Sequence, residues 1–269
     1  MEQLEKHILD CHAHVFPVKV AAKAVASIGD FYQLPMRGKG TIRDYRHELS
    51  LAGISHAVIF STATRPEQVD AIHRFMASCV RQQPGLFALG TVHPSFDEKE
   101  IESVLSQVEK WGFKGIKLHP DFQSIAADDP FVIKLAHKMP PGMVLLLHAG
   151  DPRQDLSHPK RIRHLAEQAP HLSIIAAHLG GWGVWPQAAD LLSDLGHVFV
   201  DTSSTLAFLP PDEAVSLIRR FGRERVLFGS DYPMWRPEEE RRRFLSLPLT
   251  ADEQEAILWE NGRRLFGIR

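Results

Sequence analysis

Apolar and β-branched residues gather in eight runs of strand length, at 7–13, 56–62, 86–92, 113–119, 143–149, 172–178, 197–203 and 225–231. Some, such as the run from Met143 to Leu147, are apolar at every position, as expected of strands covered on both faces. Between most of them, apolar residues recur every three or four positions over 41–53, 66–82, 97–111, 159–169 and 211–222, which predicts amphipathic helices. Asp97 and Asp212 stand where helices start, and Gly112 and Gly222 where they stop. Strands alternating with helices fit a (β/α)8 barrel or a doubly wound sheet. The barrel is favoured, because polar residues close most of the strands, whereas an open sheet gathers its site at one switch point. Residues 251–268 read as one closing helix that ends near Gly267. No repeat or linker interrupts the pattern, so 1–269 is expected to form a single domain. The segment 15–40 is long for a connection between strand and helix and reads as a lid, with a disordered loop as the alternative.

Composition narrows the function. The formal net charge is -2, which gives no footprint for nucleic acid or for an anionic membrane, so a small-molecule substrate is expected. No run reaches the roughly 18 apolar residues of a membrane span, and the first ten residues lack a leader pattern. With only two cysteines, Cys11 and Cys79, a disulfide framework is not expected, and the cytoplasm fits. The block Glu238 to Arg243 has three acids followed by three bases, the pattern of a solvated, ion-paired helix. A homo-oligomer stays open.

The candidate chemistry lies at the strand ends. In Asp10-Cys11-His12-Ala13-His14, alternation puts Asp10, His12 and His14 on one face, with the two imidazoles about 6.6 Å apart along the strand. His148 and His178 end the fifth and sixth runs, and Asp231 ends the eighth. Imidazoles and a carboxylate converging on one barrel mouth suit a catalytic divalent ion, with zinc the first expectation and manganese or iron as alternatives. Lys117 and His119 share one face of the fourth strand. Lys117 reads as a cation near the substrate in preference to a carboxylated bridging ligand, and His119 as a contact to substrate or metal. Trp182, Trp185, Phe208, Tyr232 and Trp235 follow the last three strands and are candidates to wall a pocket, Trp182 and Tyr232 foremost.

The segments DCHAH, GIKLHP, LLLHAG, AAHLGG and GSDYP, with ENGRRLFGI at the end, resemble in order and spacing the amidohydrolase-related branch of the amidohydrolase superfamily. That branch includes small-molecule hydrolases and metal-dependent decarboxylases. The resemblance implies a distorted (β/α)8 barrel with metal ligands His12, His14, His148 and Asp231. It implies for His178 a role as second-site ligand or as partner of the attacking water. The expected activity is hydrolysis of an amide, lactone or ester by metal-activated water, with Asp231 moving the proton and His178 supporting the nucleophile. Non-oxidative decarboxylation of an aromatic or enoic acid is the alternative.

Overall fold

The computed structural model describes residues 7–268. Its strands are β1 (Leu9–His14), β2 (His56–Phe60), β3 (Leu86–Ala88), β4 (Gly115–Leu118), β5 (Val144–Leu147), β6 (Ser173–Ala176), β7 (Val198–Asp201) and β8 (Val226–Leu227). Seven lie inside a run predicted from sequence, and β1 extends one residue beyond its run, to His14. The helices α1 (Val18–Tyr32), α2 (Ile42–Ala52), α3 (Gln68–Arg81) and α4 (Glu98–Lys110) accompany the first half. A short α5 (Pro120–Gln123), α6 (Pro130–Lys138), α7 (Pro159–Gln168), α8 (Trp185–Leu192) and α9 (Pro211–Phe221) accompany the second. The tail carries α10 (Pro237–Leu245), α11 (Ala251–Glu255) and α12 (Asn261–Leu265), the last two joined by a π-helical stretch, Ala256–Glu260, into the expected closing helix.

All strand pairs are parallel, in the orders β1-β2-β3 and β4-β5-β6-β7-β8. Two seams join these groups into a TIM barrel. At one, Gly90 N donates to Gly115 O and Lys117 N to Gly90 O, both at 2.8 Å. At the other, Cys11 N donates to Phe228 O and Asp231 N to His12 O, again at 2.8 Å. The second seam ties the HxH strand directly to the strand-eight carboxylate.

The strand period divides the core into two layers. Leu145, Leu147, Ile174 and Ala176 pack with the helices, while Val144, Leu146, Ile175 and Leu227 fill the barrel with Phe60 and Leu89. Phe266 and Ile268, just beyond α12, join that inner cluster and plug its lower end. Asp97 starts α4 with a capping box, as its spacing from Glu100 predicts.

Four expectations change. The register slips between Asp10 and Ala13, and such bulges re-aim side chains beside active sites. Asp10 therefore does not share a face with the histidines but accepts from Tyr45 of α2 at 2.8 Å. In segment 15–40, read as a lid with a disordered loop as the alternative, it is the alternative that gives way, since the segment holds α1. Helix α9 begins one residue before Asp212, which sits in its first turn. Within α10, Glu240 is wholly buried and pairs with Arg243, so this helix is not solvated all round.

Candidate metal centre

His12 and His14 end β1 with their Nε2 atoms 3.3 Å apart, and Asp231 Oδ1 stands 3.5 and 3.6 Å from them. An ion held tetrahedrally at about 2.1 Å from its donors separates them by roughly 3.4 Å. The triangle thus has the dimensions of one face of a coordination shell. Ser204 donates to Asp231 Oδ2 at 2.5 Å, and Trp235 Nε1 donates to Ser204 at 3.0 Å. The carboxylate is thereby divided, one oxygen toward the histidines and the other toward a hydroxyl.

The protons of His148 and His178 point to the same chemistry. His148 Nε2 donates to the Gly150 carbonyl at 2.9 Å, and His178 Nδ1 donates to the Ser203 carbonyl at 3.0 Å. Carbonyls only accept, so the remaining nitrogens, His148 Nδ1 and His178 Nε2, are lone pairs, and they face each other at 3.0 Å. Two lone pairs that close call for a cation. Burial pushes both imidazoles below their ordinary pKa, His178 to about 3, which disfavours a shared proton at neutral pH and suits a metal.

Burial likewise holds His12, His14 and His119 neutral. The same dry surroundings raise Asp231 to about 7 and lower Lys117 to about 7, against the mutual attraction of opposite charges. A divalent ion beside Asp231 would return it to the carboxylate form. His178, Ser204 and Asp231 all have left-handed backbones, with φ of 60°, 46° and 57°. Non-glycine residues held in that region cluster at functional sites.

Above the triangle lies a pocket whose walls include Ile28, Tyr32, Met36, Phe122, Trp182 and Met234. The structure therefore brings His14, His119, His148, His178, Trp182 and Asp231 to one cavity. Lys117 and Tyr232 do not line that cavity. Lys117 is fully buried, its Nζ lies 5.0 Å from the centre of the Phe60 ring, and it has no hydrogen-bond partner among the described residues. Tyr232 is also fully buried, its hydroxyl donating to Asp44 at 2.8 Å. His119 stacks on His148 with ring centres 4.0 Å apart, and its Nε2 is 2.9 Å from the Tyr32 hydroxyl.

The amidohydrolase family model matches residues 9–268. The chain belongs to that family. No curated protein shows a sequence match. Among solved structures, this amidohydrolase is similar to an uncharacterised TIM-barrel protein from Bordetella bronchiseptica, with a TM-score of 0.80, 18% identity and coverage of 97% of this chain and 98% of the other. It is also similar to 2,6-dihydroxybenzoate decarboxylase complexed with 2,6-dihydroxybenzoate, at a TM-score of 0.78 and 17% identity, covering 98% and 100%. A dihydroxybenzoic acid decarboxylase from Polaromonas sp. JS666, with bound manganese and the inhibitor 2-nitroresorcinol, aligns at a TM-score of 0.73 and 16% identity, covering 98% and 97%. At these identities the likeness establishes the fold. No helix among the described residues of the amidohydrolase is long and apolar enough to cross a membrane.

Sequence reasoning passed over Tyr32, Asp121 and Asp201. Asp201 ends β7 as Asp231 follows β8, so the strand-end rule that selected the one applied equally to the other. Asp121 follows His119 and carries two buried oxygens without hydrogen-bond partners among the described residues, one of them 3.6 Å from His148 Nε2. Tyr32 reaches the site because α1 folds back over the barrel mouth, and the reading of 15–40 as a lid did not single it out.

Proposed function

We propose that this amidohydrolase is a metal-dependent hydrolase of a small amide, lactone or ester with an apolar body. The observation that carries the reading is the His12, His14 and Asp231 triangle beside a pocket lined by Tyr32, Phe122 and Trp182. Those three residues would hold the ion, with His148 and His178 beside them, and the donor set suits zinc or manganese. When bound, such an ion lowers the pKa of water toward about 7 and polarises a carbonyl. Asp231 accepts the water proton and returns it to the leaving group, acting first as base and then as acid. Ser204 steadies the oxygen that takes the proton. His178, fixed by its Nδ1 donation to Ser203 O, lies near enough to orient the nucleophile.

The walls favour uncharged substrate surface, since the residues lining the pocket include neither lysine nor arginine. The same observation shapes a second reading. Tyr32, Phe122 and Trp182 suit a planar ring, as in the dihydroxybenzoate decarboxylases that share this barrel. A substrate for that chemistry would carry its single carboxylate to the metal, and Asp231 would deliver a proton to carbon. Metal-loaded protein assayed against neutral aryl esters, lactones and anilides, and in parallel against hydroxybenzoates with carbon dioxide detection, separates the two. Turnover of the neutral set alone supports hydrolysis, and carbon dioxide release alone replaces it with the second reading.

A further inference from the structure

We infer that Asp201 is the positioning residue that sets both the ring orientation and the proton placement of His12 and His178. The inference rests on the metal centre described above, but its evidence is a separate set of hydrogen bonds. Asp201 ends β7 fully buried. Its Oδ2 accepts from His12 Nδ1 at 2.9 Å. Its Oδ1 accepts from the backbone N–H groups of His178 and Ser203, each at 3.1 Å, and from the Ser203 hydroxyl. One carboxylate therefore ties together β1, the turn after β6 and the end of β7.

Each bond has a consequence at the centre. A carboxylate only accepts, so His12 Nδ1 must carry the ring proton, which leaves Nε2 as a lone pair facing His14 and Asp231. The bond to His178 N holds that residue in its left-handed conformation, with φ at 60°. Through Ser203 the same carboxylate also places the carbonyl that accepts from His178 Nδ1 at 3.0 Å. Both rings thus expose an unprotonated Nε2. Carboxylates that take the outer proton of a ligand histidine commonly govern metal affinity in this way.

Asparagine distinguishes this role from simple packing, because it keeps the shape and replaces one acceptor with a donor. Two backbone N–H groups converge on the Oδ1 position, so the amide oxygen of Asp201→Asn settles there. Its NH2 group then faces His12 Nδ1, which must accept, and the ring proton moves to Nε2, toward the centre. The isosteric substitution therefore reverses the His12 tautomer.

The experiment is 15N NMR of histidine-labelled, metal-free protein at neutral pH, with the His12 signals identified by their loss in His12→Asn, alongside zinc titration against a competing chelator. Wild type is expected to show the Nδ1-protonated His12 tautomer and to bind zinc. Asp201→Asn is expected to show the Nε2-protonated form and a zinc Kd raised about 10- to 100-fold. An unchanged tautomer with a Kd within about threefold of wild type would overturn the proposal, whatever the variant does to thermal stability. Should Asp201→Asn not fold, the wild-type spectrum decides, since an Nε2-protonated His12 there contradicts the assignment outright. If wild type shows the expected tautomer but binds no zinc or manganese, the metal reading fails and the positioning role of Asp201 stands.

Discussion

Glu240 gives a pH-dependent prediction whose size follows from its surroundings. It lies fully buried on α10, with one oxygen unpartnered among the described residues and Arg243 beside it. Desolvation outweighs the arginine and raises its pKa from 4.5 to about 8. The folded state therefore keeps a proton that the unfolded chain releases above about pH 4.5. This contribution to stability is complete below that pH and is lost as pH rises through about 8. At about 1.4 kcal/mol per unit the ceiling is roughly 5 kcal/mol, and relaxation with water entry reduces the expected loss to about 2 kcal/mol. Glu240→Gln removes the titration, so it should match wild type near pH 5 and exceed it by about 2 kcal/mol near pH 9. Urea unfolding at both pH values, followed by circular dichroism, measures the difference directly. A variant no more stable than wild type at pH 9, or an advantage independent of pH, refutes the reasoning. The site is also within reach of this change, because Arg243 stacks on Trp235 at 4.9 Å and Trp235 donates to Ser204, the partner of Asp231.

The remaining predictions concern the centre itself. Asp231→Asn should cut turnover by about a hundredfold to ten-thousandfold with little change in melting temperature, measured on whichever substrate set is active; retention of most activity would remove Asp231 from the proton path. Gly150→Ala should cost at least about 3 kcal/mol in chemical denaturation, because φ is +77° and the new Cβ would lie 2.5 Å from the backbone of Gly181 and Trp182. A neutral result there would mean that the turns after β5 and β6 are slack. Trp182→Ala should raise KM by roughly tenfold, about 1.4 kcal/mol of binding, by removing the wall that meets Tyr32 edge-on at 5.3 Å; an unchanged KM would place the substrate elsewhere.

The fold was largely legible because its strands are apolar on both faces and the intervening helices are amphipathic, so both periodicities stand out. The HxH pair, His148, His178 and Asp231 were legible for a related reason, as polar residues interrupting apolar strands at their ends. What escaped depends on tertiary geometry. The bulge between Asp10 and Ala13 changes which side chains of β1 share a face, and it leaves no mark in a strict alternation. Helix α1 buries only Ala21 fully, since it lies across a cavity mouth instead of a core, and Tyr32 at its end meets the site only through that placement. Glu240 sits in a charged run whose composition signals solvent, yet the face it occupies on α10 turns inward. Lys117 was placed correctly on its strand, but only the packing around Phe60 shows it sealed below the pocket.

The most direct test of the central claim is metal content per chain, by elemental mass spectrometry on protein purified without an affinity metal or chelator and again after reconstitution. The account predicts about one zinc or manganese ion per chain in the wild type and none in a variant carrying His12→Ala and His14→Ala. A wild-type protein that holds no metal even after reconstitution, or a double variant that holds as much as wild type, would contradict it.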